Sequence, residues 1–499
     1  MATAEVCRES QGTPSSTLER TLVRAIAWTG AATWVAQFLS WVTTIYVARI
    51  LSPGDYGLFA MATVYLGLVS LVSDFGIGSA VIVLRELEGS AVAELNTISV
   101  IVGFLCFAVS CVFARWLGAF FASSTLPLVV IVMSLACLIA SFRVIPESLL
   151  QRQLRFKLLA HVDALKATLQ AIATTVAAVA GMRYWSLVIG YLVGTAVGTI
   201  ITLAFQRHHF AWPNPRALRP ALTLSRDLLV TRTGWYLHSN SDFLIAGRVL
   251  GEVPLGVYRL AWSISNIPVD KITAMVVRTS QAFFSTAQKD YASLRRYLLG
   301  LTEGLALLTI PTSVGLVLVA DPLVQLALGP RWRGVVLPLQ LLSLYASVRS
   351  LTPLIPPILN VTGNSAFLAR NTVWVSVILP VGFYLGSRWG APGIAAAWVI
   401  MYPLSVIPFY WRALHQIELS FREYFSALST AIQGTIVLTV AVLAAKHNLP
   451  SGLPLIMHLG LLTMTGVAAY ITFILAFHKD RVRAFKQTIN LLRTRGVSQ

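Results

Sequence analysis

Charge is scarce in this chain. Asp, Glu, Lys and Arg make up 12% of its 499 residues, where a soluble protein carries about 25%. Hydrophobic residues make up 56%, and the mean hydropathy is +0.73. So little polar material cannot cover a water-facing surface, so the solvent of this chain is lipid. A secreted domain, a cytosolic enzyme and a disordered protein are excluded together.

Cysteine and catalytic signatures are scarce too. The four cysteines, Cys7, Cys106, Cys111 and Cys137, form no CxxC pair, and three lie in apolar runs, where they read as small core hydrophobes. The eight histidines show no metal-ligand spacing, and His208-His209 is a bare pair in a basic segment. No metal and no cofactor is expected. There is no P-loop, HExxH, GxSxG or DxD signature. The first 20 residues lack the basic start and short apolar core of a signal peptide and read as a polar lead-in.

What the chain has is long apolar runs. A spanning helix needs about 20 mostly apolar residues. About fourteen such runs occur, at 22–48, 57–82, 95–114, 125–147, 158–181, 184–206, 226–248, 254–280, 297–320, 335–360, 366–387, 391–411, 424–445 and 453–477. With the N-terminus placed inside, 23 Lys and Arg fall in inside connectors and tails against 8 in outside connectors. Excess Lys and Arg marks cytoplasmic loops, which puts both termini in the cytoplasm. Most of the +18 formal charge is therefore topology, and no nucleic-acid partner is required.

The runs repeat. Ala48-Arg49-Ile50-Leu51 with Gly57-Leu58-Phe59 returns 199 positions later as Gly247-Arg248-Val249-Leu250 with Gly256-Val257-Tyr258. Ile145-Pro146 with Leu149 returns as Ile355-Pro356 with Leu359, and Met182 to Gly190 echoes faintly at 389–397. Six runs fit in each shift, so the copies keep one orientation, as in transporters built from parallel repeats with the substrate path between halves.

A family resemblance rests on three segments. Ala48 to Ala60, reading Ala-Arg-Ile-Leu-Ser-Pro-Gly-Asp-Tyr-Gly-Leu-Phe-Ala, resembles the first-loop motif of bacterial polysaccharide-repeat flippases. Ser73-Asp74-Phe75-Gly76-Ile77-Gly78-Ser79-Ala80 resembles their second-helix motif, and Pro146 to Phe156 their fourth-helix exit. These flippases belong to the multidrug/oligosaccharidyl-lipid/polysaccharide exporter superfamily. The resemblance implies an all-α polytopic membrane protein with two parallel six-helix bundles and two further C-terminal helices. The implied division is a tail at 1–21, bundles at 22–206 and 226–411 joined by a basic linker at 207–225, two extra helices at 412–477 and a basic tail at 478–499. It also implies a cargo, an oligosaccharide on a polyprenyl diphosphate such as undecaprenyl diphosphate. The setting is the bacterial inner membrane and its lipids, with polymerase or assembly proteins as partners. Membrane potential or an H+ or Na+ gradient would drive export. An inside-negative potential favours outward movement of an anion by about 2.3 kcal/mol per charge per 100 mV.

Ionisable residues inside spans cost at least about 2.5–3.5 kcal/mol at helix centre and usually face water or a partner. In the seventh run Arg232, Tyr236, Ser239 and Asn240 fall on one stripe, and His238 and Asp242 form an i,i+4 pair on another. In the eighth run Arg259, Ser263, Asn266 and Asp270 share one face, bordered by Trp262, with Lys271 and Arg278 one side round. Arginine offers forked donors that fit a phosphate, and Trp and Tyr can stack on sugar rings. The alternative is internal pairing: Asp242 with His238, Asp270 with Lys271 or Arg278, and Arg349 with Glu303. Arg24, at the start of the first run, is either a headgroup contact or a helix anchor. These residues, Arg24, Arg232, Tyr236, Asn240, Asp242, Arg259, Trp262, Asn266, Asp270, Lys271, Arg278 and Arg349, form the candidate path lining. Pro353, Pro356 and Pro357 break the tenth run and Pro268 interrupts the eighth, as hinge candidates. Asp74, just before Gly76 and Gly78, reads as a turn residue, and Gly190, Gly194 and Gly198 as helix-packing positions.

Three functions follow, and none but the last is an enzyme. The first is flipping of a lipid-linked oligosaccharide. The second is cation-coupled export of drugs, weakened because the first run contains no Asp or Glu. The third is a membrane polymerase or glycosyltransferase, weakened by the short outside loops and the missing signatures.

Overall fold

The computed structural model describes residues 41–74, 76–84, 89–207, 209–214, 218–286, 290–450 and 452–477. Among these residues there are helices and no strands. In order they are α1 (41–50), α2 (Pro53–Asp74), α3 (Ile77–Val83), α4 (Gly89–Phe120), α5 (Leu126–Ser141), α6 (Val144–Arg152), α7 (Phe156–Val179), α8 (Trp185–Phe205) and α9 (Arg219–Ser239). There follow α10 (Ser241–Leu250), α11 (Glu252–Thr286), α12 (Tyr291–Ala327), α13 (Val336–Arg349), α14 (Ile355–Val361), α15 (Ser365–Gly386), α16 (Gly390–Gln416), α17 (Phe421–Asn448) and α18 (Leu455–Phe477).

Nine stretches among the described residues are long and apolar enough to cross a membrane, or ten if the bent pair α5 and α6 is one span. The all-helical polytopic expectation is met, while the described residues do not fix the count at fourteen. In lipid each backbone group must be satisfied within its own segment, which selects helices. Cys106 and Cys137 are buried and Cys111 is half-buried, all three as free thiols among these helices.

The chain divides into two compact units. The first takes the chain up to Leu51, then Ala62–Ala119 and Ser124–Tyr236. The second takes Ser52–Met61, Phe120–Ser123 and everything from Leu237 onward.

In the first unit α7 lies along α8 and α5 packs on α8. The glycines of α8 allow that approach. A side chain at Gly190 would strike Thr174, and one at Gly194 would strike Gln170. Ile77, Ala80 and Val81 of α3 form a small core with Val92, Leu95, Ile145 and Leu218. α2 stops at Asp74, and the chain turns through Gly76 at φ 64°, a left-handed conformation that glycine adopts without steric cost.

In the second unit α2 starts on a cap. Ser52 Oγ donates to Asp55 Oδ2 at 2.6 Å, the Asp55 amide donates back to Ser52 Oγ at 3.2 Å, and Pro53 occupies the first helical position. The Ser-Pro-Gly-Asp stretch of the first-loop motif is thus a helix start. Ser420 and Glu423 cap α17 in the same way.

The repeat has a structural counterpart here. A side chain at Gly57 would land 1.7 Å from the Glu252 carbonyl oxygen, and one at Gly256 would land 1.8 Å from that of Pro53. Positions 53 and 57 are 199 residues before 252 and 256. Equivalent glycines in the two copies therefore admit each other's helix start, which only hydrogen side chains permit.

The tenth run is broken as its prolines require. α13 ends at Arg349, a single 3-10 turn spans Thr352–Leu354, and α14 begins at Ile355. The eighth run differs: α11 continues helically through Pro268 for 35 residues. A helix can bend past a proline without ending where neighbouring helices support it, so Pro268 is no break.

Candidate functional site

Two polar clusters lie among these apolar helices, one in each unit. The first is a cavity of about 330 Å³ in the first unit, lined by Asp74, Ser79, Arg143, Glu147, Gln151 and Arg232, among others. That volume lies within the roughly 300–1,000 Å³ of small-ligand sites.

Local structure places each group. Asp74 ends α2 and is exposed to the cavity. Ser79 comes from the short helix that Gly76 allows to start. Arg143 sits at the N-cap of α6 and pairs with Glu147 one turn on, Nε to Oε2 at 2.7 Å. Gln151, a further turn along, approaches Glu147 Oε1 at 3.5 Å. Arg232 reaches in from α9, its Nη2 donating to Ser79 Oγ at 3.0 Å. Two guanidinium groups and two carboxylates thus share one cavity wall.

The second cluster, in the second unit, is fully buried. Asp242, in the first turn of α10, accepts from Tyr258 Oη at 2.6 Å, from Trp398 Nε1 at 3.1 Å and from the Phe243 amide at 2.9 Å. Its 0% exposure demands such partners, because an unpaired buried carboxylate is prohibitively costly. Its place at a helix amino end adds a favourable dipole. Aromatic rings wrap the group: Tyr345 and Phe383 each lie 4.7 Å from Trp398, and Trp262 lies 5.6 Å from it. Arg259 stands over the Phe243 ring at 5.1 Å, a cation–π contact.

The expected pairings are corrected by these partners. Asp242 is bound by Tyr258 and Trp398 and not by His238, whose Nδ1 makes no hydrogen bond. The cause is the break at Asn240, which ends α9 and starts a new helix, so the i,i+4 spacing of 238 and 242 no longer shares one helical face. Asp270 pairs with Arg349 and not with its neighbour Lys271, while Arg278, the other expected partner, has its side chain outside the described residues; Arg349, expected to pair with Glu303, takes Asp270 instead. The α11–α13 packing sets this pair, bringing together residues 79 positions apart.

The stripe uniting Arg232 with Asn240 is also interrupted. Arg232 and Tyr236 belong to the first unit, while Asn240, Asp242, Arg259, Trp262, Asn266, Asp270, Lys271 and Arg349 belong to the second. Tyr236 donates to the Val64 carbonyl at 2.9 Å. Asn266 is buried and donates to the Trp262 carbonyl at 3.0 Å. Lys271 is exposed. Arg24 and the Arg278 side chain lie outside the described residues.

Sequence reasoning missed Arg143, Glu147, Tyr258 and Trp398. The i,i+4 spacing of Arg143 and Glu147, at the end of the fourth run, was a usable signal. Asp74, read as a turn residue, ends its helix as expected and also faces the cavity. No local signal points from Trp398 to Asp242, 156 positions away.

A family model described as "Polysaccharide biosynthesis protein" matches residues 46–337, more than half of the chain. The lipopolysaccharide biosynthesis protein WzxC of Escherichia coli (strain K12) is 24% identical over 432 residues, covering 82% of this chain and 85% of that protein. The teichuronic acid biosynthesis protein TuaB of Bacillus subtilis (strain 168) is 24% identical over 490 residues, 96% of this chain and 99% of that one. Among solved structures, the lipid II flippase MurJ in an inward closed conformation matches with a TM-score of 0.74 at 13% identity, covering 91% of this chain and 100% of that chain. That last likeness is one of fold.

Proposed function

Because this chain belongs to the polysaccharide biosynthesis protein family, we propose that it flips an oligosaccharide linked to a polyprenyl diphosphate across the bacterial inner membrane, from the inner to the outer leaflet. The relatives named for lipopolysaccharide and teichuronic acid biosynthesis, and the lipid II flippase sharing the fold, support that cargo class. The observation that carries it is the cavity, set in an apolar helical protein, whose wall carries the Arg232 guanidinium fork. A lipid carrying a diphosphate needs such a site for its head and a membrane for its tail. No covalent step is involved: transport requires binding, reorientation and release.

In this reading both termini are cytoplasmic, and residues 22–206 and 226–411 form two parallel bundles followed by two accessory helices. Arg24, Arg259, Lys271, Arg278 and Arg349 belong to the same proposal as further cationic lining, with the Trp262 ring as a sugar-stacking face. The broken tenth span, at Pro353, Pro356 and Pro357, serves as a hinge between inward and outward states. A coupling ion, H+ or Na+, and polymerase or assembly partners complete the proposal.

Deletion in the native host tests it. The expected result is accumulation of a lipid-linked oligosaccharide in the inner leaflet with loss of surface polysaccharide. In proteoliposomes containing the purified chain, the same lipid should become accessible from the opposite leaflet with its glycosidic bonds intact. Bond turnover by the pure protein would overturn transport in favour of an enzyme.

A further inference from the structure

We propose that Arg143 is a phosphate-binding residue and Glu147 its exchangeable placeholder, displaced when a diphosphate enters the cavity of the first unit. This rests on the reading of the cargo as diphosphate-linked and adds the residue that discriminates that headgroup.

The geometry supports exchange over a fixed structural pair. Glu147 engages the Nε edge of Arg143 at 2.7 Å, while the guanidinium has five donors to offer. Both side chains line the cavity and keep part of their surface open, 19% for Arg143 and 28% for Glu147. On the far side, Gly198 of α8 leaves room: a side chain there would fall 2.6 Å from Arg143 Nη1. The guanidinium is thus seated in a space kept clear for it, with one edge held by a carboxylate. Carboxylate and phosphate oxygens compete for the same forked donors. Arg232 faces the same cavity, and its Nη2 is bonded to the neutral hydroxyl of Ser79.

Charge explains why the carboxylate gives way. The lining holds two cations, Arg143 and Arg232, and two anions, Asp74 and Glu147. A diphosphate diester carries one negative charge on each phosphate. Its entry leaves the wall with an excess of negative charge, which is costly among apolar helices. Withdrawal of the Glu147 carboxylate from the fork lowers that cost. Among the described residues, the other groups within electrostatic reach are Lys166 and Asp163 of α7, and, around Asp74, Cys106 of α4, Cys137 of α5 and Tyr191 of α8. Lys166 is the one further cation among them. Among the described residues Glu147 alone forms an ion pair with Arg143, so its departure is the event that frees the fork.

The test is calorimetric binding of farnesyl diphosphate to the purified full-length chain in detergent, with farnesyl monophosphate as control. The wild type should prefer the diphosphate over the monophosphate. Arg143→Lys should weaken binding about tenfold, because an ammonium lacks the fork. Glu147→Gln should bind several-fold more tightly than the wild type. Glu147→Asp, which retracts the carboxylate from Arg143, should also bind more tightly and serves if Glu147→Gln does not fold. Unchanged binding in Arg143→Lys, or a Glu147→Gln variant weakened as much as Arg143→Lys, overturns the inference alone. Failure of the folded wild type to bind farnesyl diphosphate overturns the diphosphate reading beneath it.

Discussion

The Asp242 carboxylate and the Tyr258 phenol, sixteen positions apart, share a 2.6 Å hydrogen bond in a part of the second unit where Asp242 has no exposed surface. Trp398 Nε1 donates to both, at 3.1 Å and 3.0 Å. This triad ties α10, α11 and α16 together. It predicts that Asp242→Ala is strongly destabilising, because the Tyr258 hydroxyl and Trp398 indole are then stranded at about 1–3 kcal/mol each. Tyr258→Phe removes two hydrogen bonds, one to Asp242 and one from Trp398, and should cost about 1–3 kcal/mol. Thermal unfolding of the detergent-solubilised protein measures both. Since the partners of Asp242 are aromatic donors, Asp242→Asn should not rescue export in an Arg232→Ala background. Full rescue would show an ion pair that this arrangement does not contain.

The reciprocal glycines give a steric prediction. Gly57→Ala and Gly256→Ala each drive a methyl group into a backbone carbonyl. Backbone cannot swing aside as a flexible side chain can. Each substitution should destabilise by about 1–3 kcal/mol, the usual range for overpacking. An alanine at the exposed Gly234, where a side chain meets nothing, is the matched control and should leave the melting temperature unchanged.

The proline break predicts a transport phenotype without loss of protein. Replacing Pro356 and Pro357 together with Ala restores two backbone donors and favours a continuous helix where α14 now starts separately. Export should slow while membrane abundance stays at the wild-type level, scored by surface polysaccharide and quantitative blotting. Unchanged export would remove the hinge from the mechanism.

Reporter fusions test the orientation. The 23-to-8 loop asymmetry predicts that fusions after Gly118 and after Arg388 report outside and a fusion after Arg219 reports inside. The reversed pattern would contradict both the cytoplasmic termini and the direction assigned to transport.

The sequence by itself determined the solvent, the all-helical class and the family, because hydropathy adds along the chain and the motifs are contiguous. It also located the break in the tenth run and the packing glycines of α8, since prolines and small residues act through their neighbours within a turn. Partner choice was decided only by the tertiary structure. Spacing pointed Asp242 to His238, whereas packing of three helices delivered Tyr258 and Trp398. Spacing pointed Asp270 to Lys271 or Arg278, whereas the α11–α13 contact delivered Arg349. Arg143 reads as one more inside positive charge until α2, α3, α6 and α9 are seen to enclose it with Asp74, Ser79, Glu147 and Arg232. A buried charge must satisfy whatever donors or acceptors reach it through space. Helical periodicity covers only the few residues on its own face, so the chemistry of the cavity emerges with the packing of distant segments.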